Sequence, residues 1–203
     1  MKIVIFGSSG GTGRELVRQG LAAGHEVTAF ARSAAAITEE HRALRVVEGS
    51  VTDPIAVAAA VKGQDAVLSA LGAKGKVRIC APGMANILAA MKIAHVPRVI
   101  AVSSFGAAES RDGSFYSRLV WLLLRDRMED KCAMESVIAD SNLEWTVVRP
   151  PALTNGKRTG RYQVGMHIRM PVVAKISRAD VADFILRELA SPRFVRLAPT
   201  IVA

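Results

Sequence analysis

Cysteines, aromatics and acids are all scarce in this chain of 203 residues, and each shortage closes off a class of protein. The two cysteines, Cys80 and Cys132, have no cysteine or histidine beside them. A metal centre needs several converging ligands, so no metal site is expected. A disulfide scaffold is also excluded, and free thiols in a reducing cytoplasm are expected. Aromatics make up 5% of the residues and never alternate with basic ones, so no stacking platform for nucleic acid is expected. The apolar runs are short. Leu119–Leu124 falls far below the ~20 residues that span a bilayer, so no membrane partner is expected. Met1 and Lys2 lead straight into Ile3-Val4-Ile5-Phe6, which reads as a buried strand rather than a cleavable leader.

Acidic residues number 18 against 27 basic ones, a formal charge of +9. The basic residues are scattered: Lys74, Lys76 and Arg78; Arg118, Arg125 and Arg127; Lys157, Arg158 and Arg161. That distribution describes a solvated basic surface that suits phosphate-bearing small molecules.

Strand and helix patterns alternate along the chain. Strands are expected at Lys2–Phe6, Glu26–Ala31, Leu44–Glu48, Ala66–Ala70, Arg98–Val102 and Trp145–Val148, with a short one within Val195–Val202. Helices are expected at Thr12–Ala23, from Pro54 to about Val61, at Ala81–Ala94 and over most of Phe115–Ala139. Asp53 before Pro54 is an N-cap followed by proline at the first helical position. Met84, Ile87, Leu88 and Met91 repeat at the spacing of a core-facing stripe. Ser177-Arg178-Ala179-Asp180 has capping-box spacing and opens a last helix bearing Val181, Phe184, Ile185 and Leu189. This alternation predicts an α/β fold, a Rossmann-type doubly wound parallel sheet in a single domain over 1–203. Pro150–Lys175 reads as one long irregular stretch after a strand end, the natural place for a substrate lid at about 150–176.

Gly7-Ser8-Ser9-Gly10-Gly11-Thr12-Gly13 joins the first strand to the first helix. Gly7 permits a sharp turn, Gly10 lets the main chain approach a pyrophosphate, and Gly13 lets helix and sheet pack closely. The unsatisfied N–H groups of the helix N-terminus then face the phosphates. The second strand ends in Arg32 and Ser33, with no acid between Val27 and Thr38 to hold a free ribose 2′-hydroxyl. A guanidinium there suits a 2′-phosphate, so NADPH is expected over NADH.

The spacing Gly7-x-x-Gly10-x-x-Gly13, followed by Gly24-His25-Glu26-Val27-Thr28-Ala29, resembles the atypical short-chain dehydrogenase/reductases. Gly63–Val67, Asn86–Met91, Trp145–Pro151, Lys131-x-x-x-Glu135 and Ser177–Ala182 extend the resemblance over nearly the whole chain. The nearest likeness is to the biliverdin reductase B/flavin reductase group and its NmrA-like relatives. The resemblance implies that Ser9, Gly10, Gly11 and Thr12 meet the pyrophosphate and Arg32 the 2′-phosphate. It places Ser50 and Val51 at the adenine, and Leu71, Gly72, Ala73 and Lys74 along the middle of the cofactor. Ser103, Ser104 and Pro151 would border the nicotinamide and substrate, with Lys131 nearby.

Three departures shape the expected chemistry. Ser50 stands where many relatives carry Asp, Arg127 where ketone reductases carry the tyrosine of Tyr-x-x-x-Lys, and Ala152 where biliverdin reductase B has histidine. Ketone reduction requires a proton donor as the oxyanion develops. A flavin or quinone demands less, because water supplies the proton and the site contributes mainly orientation. The expectation is therefore an NADPH-dependent reductase of flavins, quinones or related conjugated acceptors, biliverdin among them, with FMN or FAD as substrate rather than prosthetic group. Ser104 would donate a hydrogen bond and Lys131 would hold the ribose or offset negative charge. The alternative is a non-catalytic NmrA-like NADP(H) sensor acting through a protein partner. A monomer or homodimer is expected. The run Leu119–Leu124 reads equally as core, pocket wall or subunit contact.

Overall fold

The computed structural model describes residues 1–72, 77–113, 115–168, 170–171 and 173–203. The main sheet contains β1 (Lys2–Phe6), β2 (Glu26–Ala31), β3 (Leu44–Glu48), β4 (Ala66–Ser69), β5 (Arg98–Val102) and β6 (Glu144–Val148). All are parallel, in the order β3-β2-β1-β4-β5-β6, so the strand order reverses between β1 and β4. This is the Rossmann arrangement, and its ligand crevice lies beyond the carboxyl ends of the strands at that reversal.

Alternation along each strand feeds two cores. Val4 and Phe6 of β1 join one cluster, while Ile3 and Ile5 join the other. β5 divides likewise, Val99 and Ala101 against Ile100 and Val102. Helices α2 (Pro54–Val61), α3 (Cys80–Ala94) and α4 (Phe115–Ala139) cover the first face. Helices α1 (Gly11–Ala22) and α5 (Arg178–Ala190) cover the second. The Met84–Met91 stripe is buried as its spacing predicts. Asp53 caps α2 by accepting from the N–H groups of Ile55 and Ala56.

One expectation needs correction. Pro150–Lys175 is not one irregular stretch: β7 (Ala152–Thr154) pairs in parallel with β9 (Lys175–Ser177), and β8 (Gln163–Gly165) lies between them in sequence. Strands of three residues are too short to show an alternating pattern. The expected short strand within Val195–Val202 is β10 (Thr200–Val202), and it runs antiparallel to β8. Leu197 and Thr200 still bridge to Thr146 and Arg149, so the C-terminus borders β6.

Candidate dinucleotide and acceptor site

The glycine loop is built from contacts that forbid side chains. Gly7 has φ +77°, and a Cβ there would lie 2.6 Å from the Ala70 carbonyl oxygen. Gly10 donates its N–H to the Gly7 carbonyl at 3.0 Å, which closes the turn. The buried Ser8 donates its hydroxyl to the Phe30 carbonyl at 2.8 Å, tying the loop to β2. No side chain caps α1, whose N-cap is Gly10. The first-turn N–H groups around Gly11, Thr12 and Gly13 therefore remain for an anion. Ser9 is half-buried and Gly10 and Gly11 are exposed beside them. A dinucleotide pyrophosphate fits this cradle in shape and in charge.

Arg32 and Ser33 are exposed at the end of β2, and Arg32 has no ion pair among the described residues. Val51 is buried against α3, where Asn86 Nδ2 donates to its carbonyl at 3.1 Å. The neighbouring Ser50 is exposed and its hydroxyl meets that of Thr52 at 2.7 Å. Leu71 is buried and Gly72 exposed beyond β4. Ala73 and Lys74 lie outside the described residues.

Beyond β5, Ser103 turns away from the crevice. It is buried, and its hydroxyl donates to Glu135 on α4. Glu135 in turn accepts from Arg149 Nε at 3.2 Å, at the end of β6. Arg149 also pairs with Glu109 at 2.9 Å. A buried charge network thus fixes the strand ends that carry Ser104 and Pro151. Ser104 is half-buried, and its hydroxyl donates to the Phe105 carbonyl at 3.3 Å. Pro151 is buried.

Lys131 does not pair with Glu135. Its ammonium donates to the carbonyls of Leu71 at 2.7 Å and Val102 at 2.6 Å. One cation thus holds the chain after β4 against the end of β5. The preceding residue, Asp130, is also buried, and it accepts the N–H groups of Ile79, Cys80 and Ala81 at the start of α3. Burial disfavours the Asp130 charge, but those N–H groups outweigh it and hold the carboxyl below its ordinary value.

Two residues gain a place that their sequence positions did not reveal. The Arg178 side chain lies against Gly11, where a Cβ would stand 2.8 Å from Nε, and Nη1 donates to Asn155 Oδ1 at 2.6 Å. A cation thus flanks the phosphate loop and links it to the chain after β7. Only the packing of α5 on α1 creates this contact; Arg178 was legible solely as the residue after an N-cap. Tyr116 packs on Phe105 with ring centroids 5.9 Å apart, in a cluster with Ile168, Met170, Ala174 and Val202. Burial raises its phenol above the ordinary value, against a hydrogen bond with the Ala152 main chain.

Tyr162 is committed elsewhere. It donates to Asp183 Oδ2 at 2.7 Å, and burial followed by that carboxylate pushes its pKa up. The capping box of α5 forms only in part. Ser177 Oγ accepts from the Asp180 N–H at 2.9 Å and donates to the Asp180 carboxylate at 2.8 Å, and that carboxylate also accepts from the N–H groups of Thr159 and Gly160. Asp180 thus pins the first half of the proposed lid to α5.

Fold and loop together define a dinucleotide-binding Rossmann protein. The chain belongs to the NAD(P)H-binding family, whose model matches residues 7–192. The likeness to atypical short-chain dehydrogenase/reductases and NmrA-like proteins holds at that level. The YwnB protein of Bacillus subtilis (strain 168) is 30% identical over 218 residues, covering 100% of this chain and 99% of its own. Among solved structures, the anaerobilin reductase ChuY of Escherichia coli O157:H7 superposes with a TM-score of 0.85 at 24% identity, over 100% of this chain and 97% of its own. A short-chain dehydrogenase/reductase of Veillonella parvula in complex with NADP gives 0.82 at 23% identity, over 98% and 93% of the two chains. Those two structures establish a shared fold. Among the described residues, no cluster suits a metal and no helix is long and apolar enough to cross a membrane.

Proposed function

We propose that this protein is an NADPH-dependent reductase that passes hydride to a flat conjugated acceptor such as a flavin or quinone. The observation that carries the reading is the aromatic pair of Phe105 and Tyr116, which follows the carboxyl end of β5, the same end of the sheet at which β1 opens into the glycine cradle. When bound, the nicotinamide supplies the hydride. This chain's residues bind, orient and exclude water. Gly7–Gly13 hold the pyrophosphate, and Arg32, with no ion pair among the described residues, suits the 2′-phosphate. Lys131 and the Ser103–Glu135–Arg149 network fix the strand ends around the acceptor. Ser104 offers a hydroxyl to the acceptor's edge. Positioning of this kind accounts for a large share of rate enhancement, and Tyr116 is the candidate donor of the one proton that accompanies the hydride. ChuY, similar in fold, is itself named a reductase.

A second reading draws on a specific observation. The Lys131 ammonium and Ser103 hydroxyl are both engaged with protein groups, as a sensor that binds NADP(H) without turnover would allow. One assay separates the two. NADPH oxidation is followed by absorbance with FMN, a quinone and biliverdin offered in parallel. Turnover with any acceptor supports the reductase. Tight NADPH binding with no turnover on all of them overturns it in favour of the sensor.

A further inference from the structure

The run Leu119–Leu124 had three readings, and its exposure removes the first of them. Leu122 and Leu123 are 79% and 68% exposed, so they are not core. Phe115, at 67%, and Leu119, at 42%, continue the same surface. Positions 115, 119, 122 and 123 follow the i, i+4, i+7, i+8 spacing of a single helix face. The opposite face is anchored: Ser117 and Met128 are buried, and Trp121 Nε1 donates to the Gly106 carbonyl at 2.8 Å. Arg111 stacks over the Trp121 ring at 4.1 Å. The first turns of α4 are therefore held to the body with an apolar stripe turned outward. At Leu124 the helix kinks, with φ −129° and ψ 30°.

Charge identifies what covers the stripe. No acid occurs from Phe115 to Leu124, and Arg118 is exposed on these turns; Arg125 and Arg127 are exposed beyond the kink, among Asp126 and Glu129. Arg125 pairs with Glu129, while Arg118 and Arg127 have no ion pair among the described residues. A second copy would bring a like-charged stripe against this one, on a molecule that carries +9 overall. An anionic lipid surface answers both features, since acyl chains accept leucine and phenylalanine while headgroups attract arginine.

We propose that the first turns of α4 dock this protein on anionic membrane surfaces, with Phe115, Leu119, Leu122 and Leu123 inserted and Arg118 at the headgroups. The binding is peripheral and reversible. Tyr116, on the same turns, packs on Phe105 at the end of the sheet that carries the crevice, so docking sets the acceptor side of the molecule near the lipid. The inference stands whether or not the protein turns over its cofactor.

The test is flotation with vesicles of phosphatidylcholine alone and of phosphatidylcholine mixed with phosphatidylglycerol, at low and high salt. The mixed vesicles are expected to carry the protein and to release it as salt rises. L122Q/L123Q is expected to lower the bound fraction at least about tenfold, and R118Q about threefold, with NADPH affinity unchanged in both. Absence of binding to the mixed vesicles, or equal binding by L122Q/L123Q, overturns the proposal. So does a wild-type dimer in light scattering that L122Q/L123Q converts to monomer, because the stripe is then a self-interface.

Discussion

Gly13 packs so tightly against Gly7 that a Cβ on Gly13 would lie 2.7 Å from the Gly7 carbonyl carbon and closer still to its oxygen. The same Cβ would lie 2.7 Å from Ser8 Cα. None of these atoms is the far end of a flexible side chain, so the loop itself must move. Gly13→Ala is therefore expected to destabilise the fold by about 1–3 kcal/mol. It is also expected to weaken NADPH at least about tenfold, because the displaced loop is the proposed phosphate cradle. Calorimetric melting and a fluorescence titration check the two effects. An unchanged cofactor affinity would remove the loop from the site.

Arg32 and Arg178 divide the cofactor's phosphates between them in the proposed site. Arg32→Ala is expected to cost NADPH roughly 10- to 100-fold in affinity while leaving NADH nearly unaffected, the loss of a charge-assisted contact to the 2′-phosphate alone. Arg178 lies against Gly11, beside the pyrophosphate that both cofactors share, so Arg178→Ala should weaken both equally. Parallel titrations of each variant with the two cofactors decide the assignment. Equal losses for both cofactors in Arg32→Ala would move the 2′-phosphate elsewhere.

The strand and helix plan was readable because each strand of a parallel sheet is apolar on both faces and each helix carries a stripe. Val4 and Ile5 announce themselves in that way. Gly7, Gly10 and Gly13 were readable because their spacing answers a requirement of the main chain. What escaped depends on residues far apart in sequence. Lys131 and Glu135 stand at i, i+4 on one helix, the spacing of a local ion pair. Instead Lys131 reaches carbonyls 60 and 29 residues away, and Glu135 reaches Arg149. The contact of Arg178 with Gly11 exists only after α5 has packed on α1. Nor does any local pattern say that Leu122 and Leu123 face outward, since an exposed apolar stripe and a buried one have the same period.

Glu135 and Arg149 form an ion pair whose side chains are 6% and 3% exposed. Removing one partner strands the other away from water, so Glu135→Ala is expected to cost about 3–5 kcal/mol. Arg149 keeps Glu109, which places the loss toward the lower end of that range. Replacing both partners by leucine is expected to recover part of the loss, because no buried charge is left unpaired. Denaturant unfolding of the single and double variants measures the difference. Equal stability of Glu135→Ala and the wild type would show that the pair does not set the strand ends.

Asp130 gives a pH dependence whose sign follows from its environment. Its carboxyl is held below the ordinary value by the N–H groups of α3, after opposition from burial. A group depressed in the folded state contributes its full stability above the unfolded value of ~4 and loses it as pH falls through the lower folded value. Unfolding free energy should therefore fall in acid. Asp130→Asn, which still accepts one hydrogen bond, should flatten that fall and cost about 1–2 kcal/mol at neutral pH, as for a lost helix cap. Urea midpoints taken across the acid range test this, and an unchanged slope would exclude Asp130 as a source.

Of the two phenols, Tyr116 is the one open to the proposed acceptor, since Tyr162 donates to Asp183 on α5. Burial holds Tyr116 above its ordinary value, so it keeps its proton throughout the neutral range. In the proposed reaction it is placed to give that proton to an acceptor oxygen or nitrogen as hydride arrives, with water restoring it afterwards. General-acid help is worth ~10²–10⁴-fold where the acceptor needs it. Tyr116→Phe is accordingly expected to slow quinone reduction about 100-fold while changing stability by less than about 1 kcal/mol. A solvent isotope effect present in the wild type and altered in the variant would tie the loss to proton transfer. If the wild type turns over and Tyr116→Phe matches it in rate and isotope effect, the proton comes from water alone. If instead KM rises while kcat holds, Tyr116 only walls the acceptor site.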